Sequence, residues 1–498
     1  MIFNSYEYLI FFVLTFVLGW SLSRQKGITL PFILLSSLIF YTYGEWIGFL
    51  VLASSVLINF CLGRALLKNH PTNKKVLTAG VVFNLLILGY FKYKNFFLGN
   101  ILAIAGKAFE PEQLILPLAI SFFTFQQIAF LVDVYKGKVK SFAFLDYVVF
   151  VSFFPQLIAG PIVHYREVSS QIKEKLLQRF QMANAVEGIA LICIGLAKKV
   201  LIADSLKPFV DPVFAYAESS ANLWTIEAWG ACIAYTFQLY FDFSGYVDIA
   251  LGSALLLGVR LPLNFQSPYK SSSIIDFWRR WHITLSNFLR DYLYIPLGGS
   301  RDGSFRKFRN IFATMLLGGL WHGAGWNFVI WGAWHGSGLC INHGLRGLRA
   351  YQRIQLPKVV AVSTTFIFVL LGWVFFRADT FVAAKNMIMA LNPLSLLEMP
   401  TQLRGILDHS ATRNIGLTFE KSVVLDIRYW IKGAAIILFA GIISFFAPSS
   451  DIVAKKIQGF LETRRPILNT TLGFAFGLLF TLCATQFSRV HQFIYFRF

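Results

Sequence analysis

Apolar segments long enough to cross a lipid bilayer recur from one end of this chain to the other. Of its 498 residues, 56% are hydrophobic and only 14% are charged. A membrane-spanning helix needs roughly 17 to 25 apolar residues, and this rule gives about eleven to thirteen candidate segments, some of them re-entrant. The segments are continuous and do not alternate with polar residues, which favours helices over a membrane barrel. The sequence therefore predicts an all-α, polytopic transmembrane helical bundle.

The net charge of +20 is carried by short loops between these segments. Basic loops follow the first, third and fifth segments, at Arg24, Lys26, Arg64, Lys68, Lys74, Lys75, Lys136, Lys138 and Lys140. Because lysine and arginine accumulate in cytoplasmic loops, we expect a multi-pass protein of the cytoplasmic (inner) membrane with an extracytoplasmic N-terminus. No soluble basic domain is apparent, so anionic lipid, and not nucleic acid, is the expected partner of this charge.

The chain shows no long linker or low-complexity tract, so we predict a single transmembrane domain, 1–498. Within it we distinguish N-terminal helical hairpins (1–139), a core (140–345) and C-terminal helices (346–498). Two stretches of the core should depart from straight spans. Phe150–Val168 contains two prolines and a glycine, which predicts a bent or re-entrant segment. Asp276–Arg301 mixes arginine with aromatic residues, which predicts short helices in the interface or dipping into the protein.

His322 is the first candidate for a reaction centre. It lies with Trp321 and His335 in an apolar run surrounded by glycines. An ionisable side chain at membrane depth indicates function by default, and imidazole exchanges protons near neutral pH. The alternative is a histidine hydrogen-bonded between helices. His335 is thirteen positions on, about 220° around an ideal helix, and is expected to be structural.

A second cluster consists of Arg279, Arg280, Trp281 and His282. These residues could hold an anionic head group of a donor or supply a second proton carrier, and an interfacial basic helix is an equally good interpretation. Asn264, in a nearby polar stretch, could orient a substrate or cap a helix, and the sequence does not separate the two.

Asp242 and Asp248 lie in apolar surroundings, with Tyr246 one helical turn from Asp242 and able to hydrogen-bond it. Buried carboxylates need cationic partners, which makes a structural ion pair the favoured interpretation over substrate binding. The expected partners are Arg260, Arg279 or Arg280.

Several common chemistries lack their residues. The sequence contains no phosphate-binding G-x-x-x-x-G-K-[ST], no hydrolase G-x-S-x-G and no H-E-x-x-H pattern. Its five cysteines show no C-x-x-C spacing, so we predict no metal site. The functions that remain possible are general-base catalysis by histidine in a membrane cavity, and transport.

An ordered set of motifs covers most of the chain. The motifs are Leu116–Gly137, Phe153–Val168, Gly195–Asp204, Tyr240–Gly252, Asp276–Gly299 and Gly318–Gly336. Together they resemble the membrane-bound O-acyltransferase (MBOAT) family. The similarity is greatest to the bacterial branch that includes proteins of alginate and peptidoglycan O-acetylation and of D-alanyl transfer to teichoic acid.

This resemblance implies a helical wall around a central funnel, with His322 as the essential histidine and His282 as a second one found in this branch. It implies an acyl thioester donor, most plainly acetyl-CoA, and no permanently bound cofactor. An extracytoplasmic transferase that decorates a polysaccharide is the implied partner. D-alanyl transfer would instead need an acyl carrier protein, and a transporter or flippase is the competing class.

Overall fold

A computed structural model of the chain describes residues 1–25, 27–43, 46–68, 73–158, 160–219, 223–301, 303–348, 356–392, 398–400, 418–420, 427–462, 466–489 and 493–494. Most of these residues are helical, which confirms the prediction of an all-α membrane protein. The described strands are a parallel pair of three residues each, β1 (Glu398–Pro400) and β2 (Thr418–Glu420).

The described helices fall into N-terminal, central and C-terminal groups along the chain. The N-terminal helices are α1 (Tyr6–Leu22), α2 (Thr29–Thr42), α3 (Trp46–Lys68), α4 (Lys74–Leu88), α5 (Lys94–Ile104) and α6 (Ile120–Tyr135). The central helices are α7 (Phe144–Ser152), α8 (Phe154–Leu157), α9 (Tyr165–Glu174), α10 (Met182–Leu196), α11 (Asp204–Ser219), α12 (Thr225–Leu256), α13 (Ile274–Arg280), α14 (Ile283–Leu289), α15 (Ser304–His322) and α16 (Trp326–Gly347). The C-terminal helices are α17 (Lys358–Arg377), α18 (Phe381–Ala390), α19 (Ile427–Phe446), α20 (Ser450–Glu462) and α21 (Pro466–Ala484).

Three short segments are wider than an α-helix, with the hydrogen bonds of a π-helix. They are Gly89–Tyr93 between α4 and α5, Ala197–Ala203 between α10 and α11, and Arg290–Tyr294 after α14. π-helical turns are rare and occur frequently at functional sites. Two of these segments hold lysines that enter the interior, as described below.

Three of the described helices are long and apolar enough to cross a membrane by themselves: Trp46–Lys68, Lys74–Ile104 and Lys358–Arg377. One further pair, Ile431–Phe446 and Ser450–Leu461, is bent by 74°, and the other apolar helices are shorter. Fewer helices meet this strict criterion than the eleven to thirteen segments expected, because many apolar segments are broken or short. α12, with 32 residues, does not meet it because tyrosines and carboxylates lower its hydropathy.

The two irregular stretches have the predicted character. After α7, the chain makes the single turn α8, and the described residues 160–164 have no regular structure before α9 begins at Tyr165. The stretch from Asp276 onward forms the end of α13, then α14 and the π-helical turn. Both stretches consist of the short, interrupted elements that were expected, and their position relative to the membrane stays a prediction.

α12 is the central helix of the molecule, and nearly every side chain from Ala231 onward is buried. It packs closely against α10 through glycines. A Cβ added to Gly195 would lie 2.6 Å from the carbonyl oxygen of Gly245, and one added to Gly252 would lie 2.4 Å from that of Gly188. Small residues of this kind let helix backbones approach in membranes. The close contact fixes the position of α12 relative to α10.

The outer helices expose large apolar side chains. Examples are Ile10, Leu14, Leu50, Leu86 and Ile101, each at least half exposed. A contiguous exposed apolar surface is unfavourable in water and indicates contact with lipid. This distribution agrees with a protein integral to the membrane.

Candidate active site

His322 is the last residue of α15, and its side chain is buried. It lines a cavity of about 100 Å³. The other lining residues are Lys92, Leu116, Pro117, Leu118, Ala119, Ile120, Ser121, Phe122, Ile158, Trp321 and Phe493. Residues from the N-terminal and C-terminal parts of the chain, Lys92 and Phe493, thus lie in the same cavity as His322.

Glycines allow α15 to lie directly against α16. A Cβ on Gly319 would lie 2.3 Å from the carbonyl oxygen of Phe328, and one on Gly332 would lie 2.5 Å from that of Met315. No larger side chain fits at either position without moving a helix. The glycines that the sequence places around His322 therefore set the position of this residue.

Aromatic rings surround the imidazole of His322. Its ring centroid lies 4.9 Å from that of Trp321, 5.0 Å from Trp331 and 5.2 Å from Phe376. Trp331 and Phe376 are fully buried. Such a cage limits the access of water and keeps electrostatic interactions at the imidazole strong.

His282 is the second histidine at this place, with its ring centroid 6.4 Å from that of His322. It lies between α13 and α14 in the left-handed backbone region, at φ 43°, and is fully buried. The Nδ1 atom of His282 lies 3.2 Å from Oδ1 of Asn264. The same Asn264 oxygen accepts hydrogen bonds from the backbone N–H and the hydroxyl of Thr284, at 3.2 and 3.0 Å. Asn264 therefore fixes the orientation of His282.

The Gly89–Tyr93 turn directs two side chains toward the C-terminus of α15. The ammonium group of Lys92 donates to the carbonyl oxygens of Trp321, at 2.6 Å, and of His322, at 3.1 Å. The hydroxyl of Tyr93 donates to the carbonyl oxygen of Leu320 at 2.8 Å. The last carbonyls of a helix have no partner within the helix, so these contacts satisfy them.

Comparison with known proteins agrees with this geometry. The model of the membrane-bound O-acyltransferase family matches residues 135–382. A peptidoglycan O-acetyltransferase of Helicobacter pylori is 38% identical over 475 residues, which cover 89% of this chain and 88% of the relative. The chain belongs to the membrane-bound O-acyltransferase family. It is therefore an O-acyltransferase.

Two further relatives differ in their sequence identity to this O-acyltransferase. A probable alginate O-acetylase AlgI of Azotobacter vinelandii is 42% identical over 78% of both chains. A teichoic acid D-alanyltransferase of Streptococcus thermophilus is 28% identical over 52% of this chain and 68% of its own length. The stretch that matches the family model includes His282 and His322 and excludes Lys92.

The basic cluster beside His282 does not enter the cavity of this O-acyltransferase. Arg279 is exposed, and Arg280 pairs with Asp276 at 3.0 Å, one helical turn away. Trp281 is buried, but its ring packs against Trp373 at 5.0 Å within an interior aromatic cluster. Of this group, only His282 approaches His322.

The predicted partners of the buried carboxylates were wrong. Asp242 pairs with Lys199 at 2.6 Å, and Asp248 pairs with Lys198 at 2.7 Å. Both lysines belong to the Ala197–Ala203 turn, which packs directly on α12. Two of the expected arginines face other carboxylates: Arg260 pairs with Glu187 at 2.7 Å, and Arg280 pairs with Asp276 at 3.0 Å. The carboxylates are thus ion-paired as expected, with lysine as the cation, and their role in stability over substrate binding stays a prediction.

The predicted hydrogen bond between Tyr246 and Asp242 does not form. The hydroxyl of Tyr246 donates to Oδ1 of Asn4 at 3.1 Å, and its ring stacks on Phe493 at 4.4 Å. Asp242 instead accepts the backbone N–H of Ile494 at 2.9 Å. Tyr246 and Asp242 hold a cavity-lining residue, Phe493, and neither lines the cavity itself.

His335 is fully buried beside Trp331, with 4.8 Å between ring centroids, and does not line the cavity. Among the residues that the structure describes, no three His, Cys, Asp or Glu side chains are placed to hold a metal ion.

Sequence reasoning missed Lys92 and Phe493 as cavity residues. Lys92 could have been found from the sequence, because it is a cation within an otherwise apolar segment.

Proposed function

We propose that this O-acyltransferase takes an acetyl group from a cytoplasmic thioester, acetyl-CoA, and passes it across the membrane for O-acetylation of an extracytoplasmic polysaccharide. The observation that carries the proposal is the buried His322 at a cavity wall, with His282 6.4 Å away. Relatives named peptidoglycan O-acetyltransferase and probable alginate O-acetylase support acetyl as the group transferred and a cell-envelope polymer as its destination.

His322 acts as the general base in this proposal. Its imidazole accepts the proton of the acceptor hydroxyl while the hydroxyl oxygen bonds to the carbonyl carbon of the acetyl group. The tetrahedral intermediate then collapses, the carbon–sulfur bond breaks, and the proton passes from His322 to the leaving thiolate. A general base of this kind contributes roughly a hundred- to ten-thousandfold in rate.

His282 assists His322 or holds the donor, and Asn264 positions it. The hydrogen bond with Asn264 involves Nδ1 of His282, so we assign proton exchange to the other ring nitrogen, Nε2. Trp321, at the cavity wall, supplies an apolar face for the acetyl group.

The donor requires recognition of a nucleotide with phosphate groups. Arg279, exposed, and Arg280, partly exposed, are two candidates on the stretch that leads to His282. Guanidinium groups match phosphate geometry through paired hydrogen bonds. We propose that they bind the donor at the cytoplasmic face, with the thioester reaching the cavity and with no permanently bound cofactor.

We propose that a partner protein carries the acetyl group to the final acceptor. The cavity, at about 100 Å³, is small beside a polysaccharide chain. We therefore propose an extracytoplasmic transferase that receives the acetyl group and modifies the polymer. In this arrangement the protein lies in the inner membrane with its N-terminus extracytoplasmic, as its basic loops indicate.

The proposal is tested with the purified protein in lipid nanodiscs and acetyl-CoA labelled in the acetyl group, with and without candidate extracytoplasmic partners. Release or transfer of the label is measured for the wild type and for His322→Ala. His343→Ala is the matched control, because His343 is a partly buried histidine of α16 that lies outside the cavity.

We expect turnover in the wild type and in His343→Ala, and a loss of at least a hundredfold in His322→Ala. Full activity of a folded His322→Ala protein would remove His322 as the base. If the wild type releases no acetate but accepts D-alanine from a carrier protein, the donor assignment is wrong and D-alanyl transfer replaces it.

A further inference from the structure

Lys92 lies in an unfavourable place for a cation. It belongs to the continuous helical segment Lys74–Ile104, which is apolar enough to span the membrane. Its side chain is turned inward by the π-helical turn Gly89–Tyr93 and lines the cavity beside His322. Ionisable residues in such segments are costly, so their presence calls for a function.

The contacts of Lys92 are with neutral oxygen atoms. In the described part of the chain its ammonium group donates to the carbonyl oxygens of Trp321 and His322 and to the hydroxyl of Ser121, at 2.6, 3.1 and 3.3 Å. The ring of Trp321 lies 5.8 Å from the ammonium nitrogen. The positive charge is therefore held by dipoles and an aromatic ring.

Capping of a helix does not by itself require this charge. Tyr93, the next residue, caps the carbonyl of Leu320 with a neutral hydroxyl. A neutral donor in place of Lys92 would satisfy the same carbonyls without the cost of desolvating an ammonium ion. The charge has a further use if an anion forms in the cavity.

We infer that Lys92 is the cation that stabilises the oxyanion of the acyl-transfer intermediate. This inference rests on the proposed function of His322. When the acceptor oxygen attacks, the two electrons of the carbonyl π bond move to the carbonyl oxygen, and the hydroxyl proton moves to His322. The negative oxygen then lies in the cavity that Lys92 and Ser121 both line. When the intermediate collapses, the electron pair on this oxygen re-forms the carbonyl π bond, and the carbon–sulfur bonding pair leaves on the thiolate, which takes the proton from His322.

The geometry indicates which hydrogen bond changes. The contact to Ser121 is the longest of the three, and Ser121 faces the same cavity. The ammonium N–H directed at Ser121 can turn to the oxyanion, while the two bonds to α15 keep the nitrogen in place. A donor fixed before the reaction needs little reorganisation during it, which is the basis of electrostatic stabilisation in enzymes.

The test compares Lys92→Met with two neighbouring variants in nanodiscs, using labelled acetyl-CoA. Lys94→Met removes a lysine that is 29% exposed and pairs with Glu112 away from the cavity. Tyr93→Phe removes a cap of the same helix end without changing charge. For each protein, kcat and KM are measured separately, and His322→Ala is included.

Loss of one preorganised oxyanion donor typically costs about a hundred- to a thousandfold in kcat. We expect that loss in Lys92→Met with KM changed less than threefold, and changes below about fivefold in the two neighbouring variants. A loss in Tyr93→Phe equal to that in Lys92→Met would show that Lys92 only caps the helix and would overturn the inference. Activity of Lys92→Met within threefold of wild type would overturn it as well.

A chemical rescue keeps the inference testable if Lys92→Met does not fold. Lys92→Cys is treated with bromoethylamine, which restores an ammonium group, or with bromoethane, which adds a neutral chain. The wild type is treated in parallel, because it has five cysteines of its own. Rescue by the amine alone supports the inference, and equal rescue by both reagents overturns it. A wild type that stays inactive with acetyl-CoA and candidate extracytoplasmic partners present would instead refute the proposed function.

Discussion

Lys199 offers the sharpest test of how the interior around α12 is held together. Its side chain is 1% exposed and lies 2.6 Å from a carboxylate oxygen of Asp242 and 2.6 Å from one of Asp204. Asp242 is equally buried, at 1%. Lys199→Met keeps the length and apolar stem of the side chain and removes only the charge. The variant thus leaves one fully buried carboxylate without its cation.

The expected loss of stability is large. Removing one partner of a buried ion pair costs about 3 to 5 kcal/mol, because the remaining charge is neither hydrated nor paired. Lys207→Met is the matched control from the next helix. Lys207 is 30% exposed, and its partner Asp211 keeps Arg377 at 2.9 Å, so this variant should lose less than about 1 kcal/mol.

Denaturant titration of the detergent-solubilised protein, followed by tryptophan fluorescence, measures both variants. The double variant Lys199→Met/Asp242→Asn should recover about half of the loss, because the amide is uncharged and still offers an oxygen to the N–H of Ile494. Equal stability of Lys199→Met and Lys207→Met would refute this reasoning. So would an Asp242→Asn protein that keeps wild-type stability but loses affinity for the donor, since Asp242 would then bind substrate.

Two other variants test the surroundings of His322 and His282 directly. Gly319→Ala should lower stability by about 1 to 3 kcal/mol and reduce turnover, because its Cβ would lie 2.3 Å from the carbonyl oxygen of Phe328. Thermal unfolding checks this against the control Gly347→Ala, whose Cβ would have no atom within 4 Å. Asn264→Leu should lower turnover at least tenfold, because His282 loses the oxygen that orients its ring; undiminished turnover in the acetyl-CoA assay would show that this orientation is unnecessary.

The sequence predicts the type of fold well because composition and hydropathy are local properties. It also identifies His322 and His282, since both lie in motifs that resemble a family. That the two rings lie 6.4 Å apart could not be obtained from spacing alone. Their proximity depends on the left-handed turn at His282 and on the glycine contacts between α15 and α16, which are tertiary features.

Contacts between residues far apart in sequence account for the error at Tyr246 and for the omission of Lys92. Tyr246 is one turn from Asp242, yet its hydroxyl bonds to Asn4, 242 residues away. Lys92 bonds to carbonyls 229 and 230 residues away. Hydrogen-bond donors in a membrane interior must find acceptors wherever the helices meet. A pattern within one helix cannot identify those acceptors.

The three π-helical turns have a consequence for numbering across the family. A turn closed by bonds between residues five apart contains one more residue than an α-helical turn. A relative with an unbroken α-helix at Gly89–Tyr93 would be one residue shorter there, and an alignment without a gap would shift the helix by about 100°. The residue that corresponds to Lys92 must therefore be found by its register to α15 and not by counting from the preceding loop.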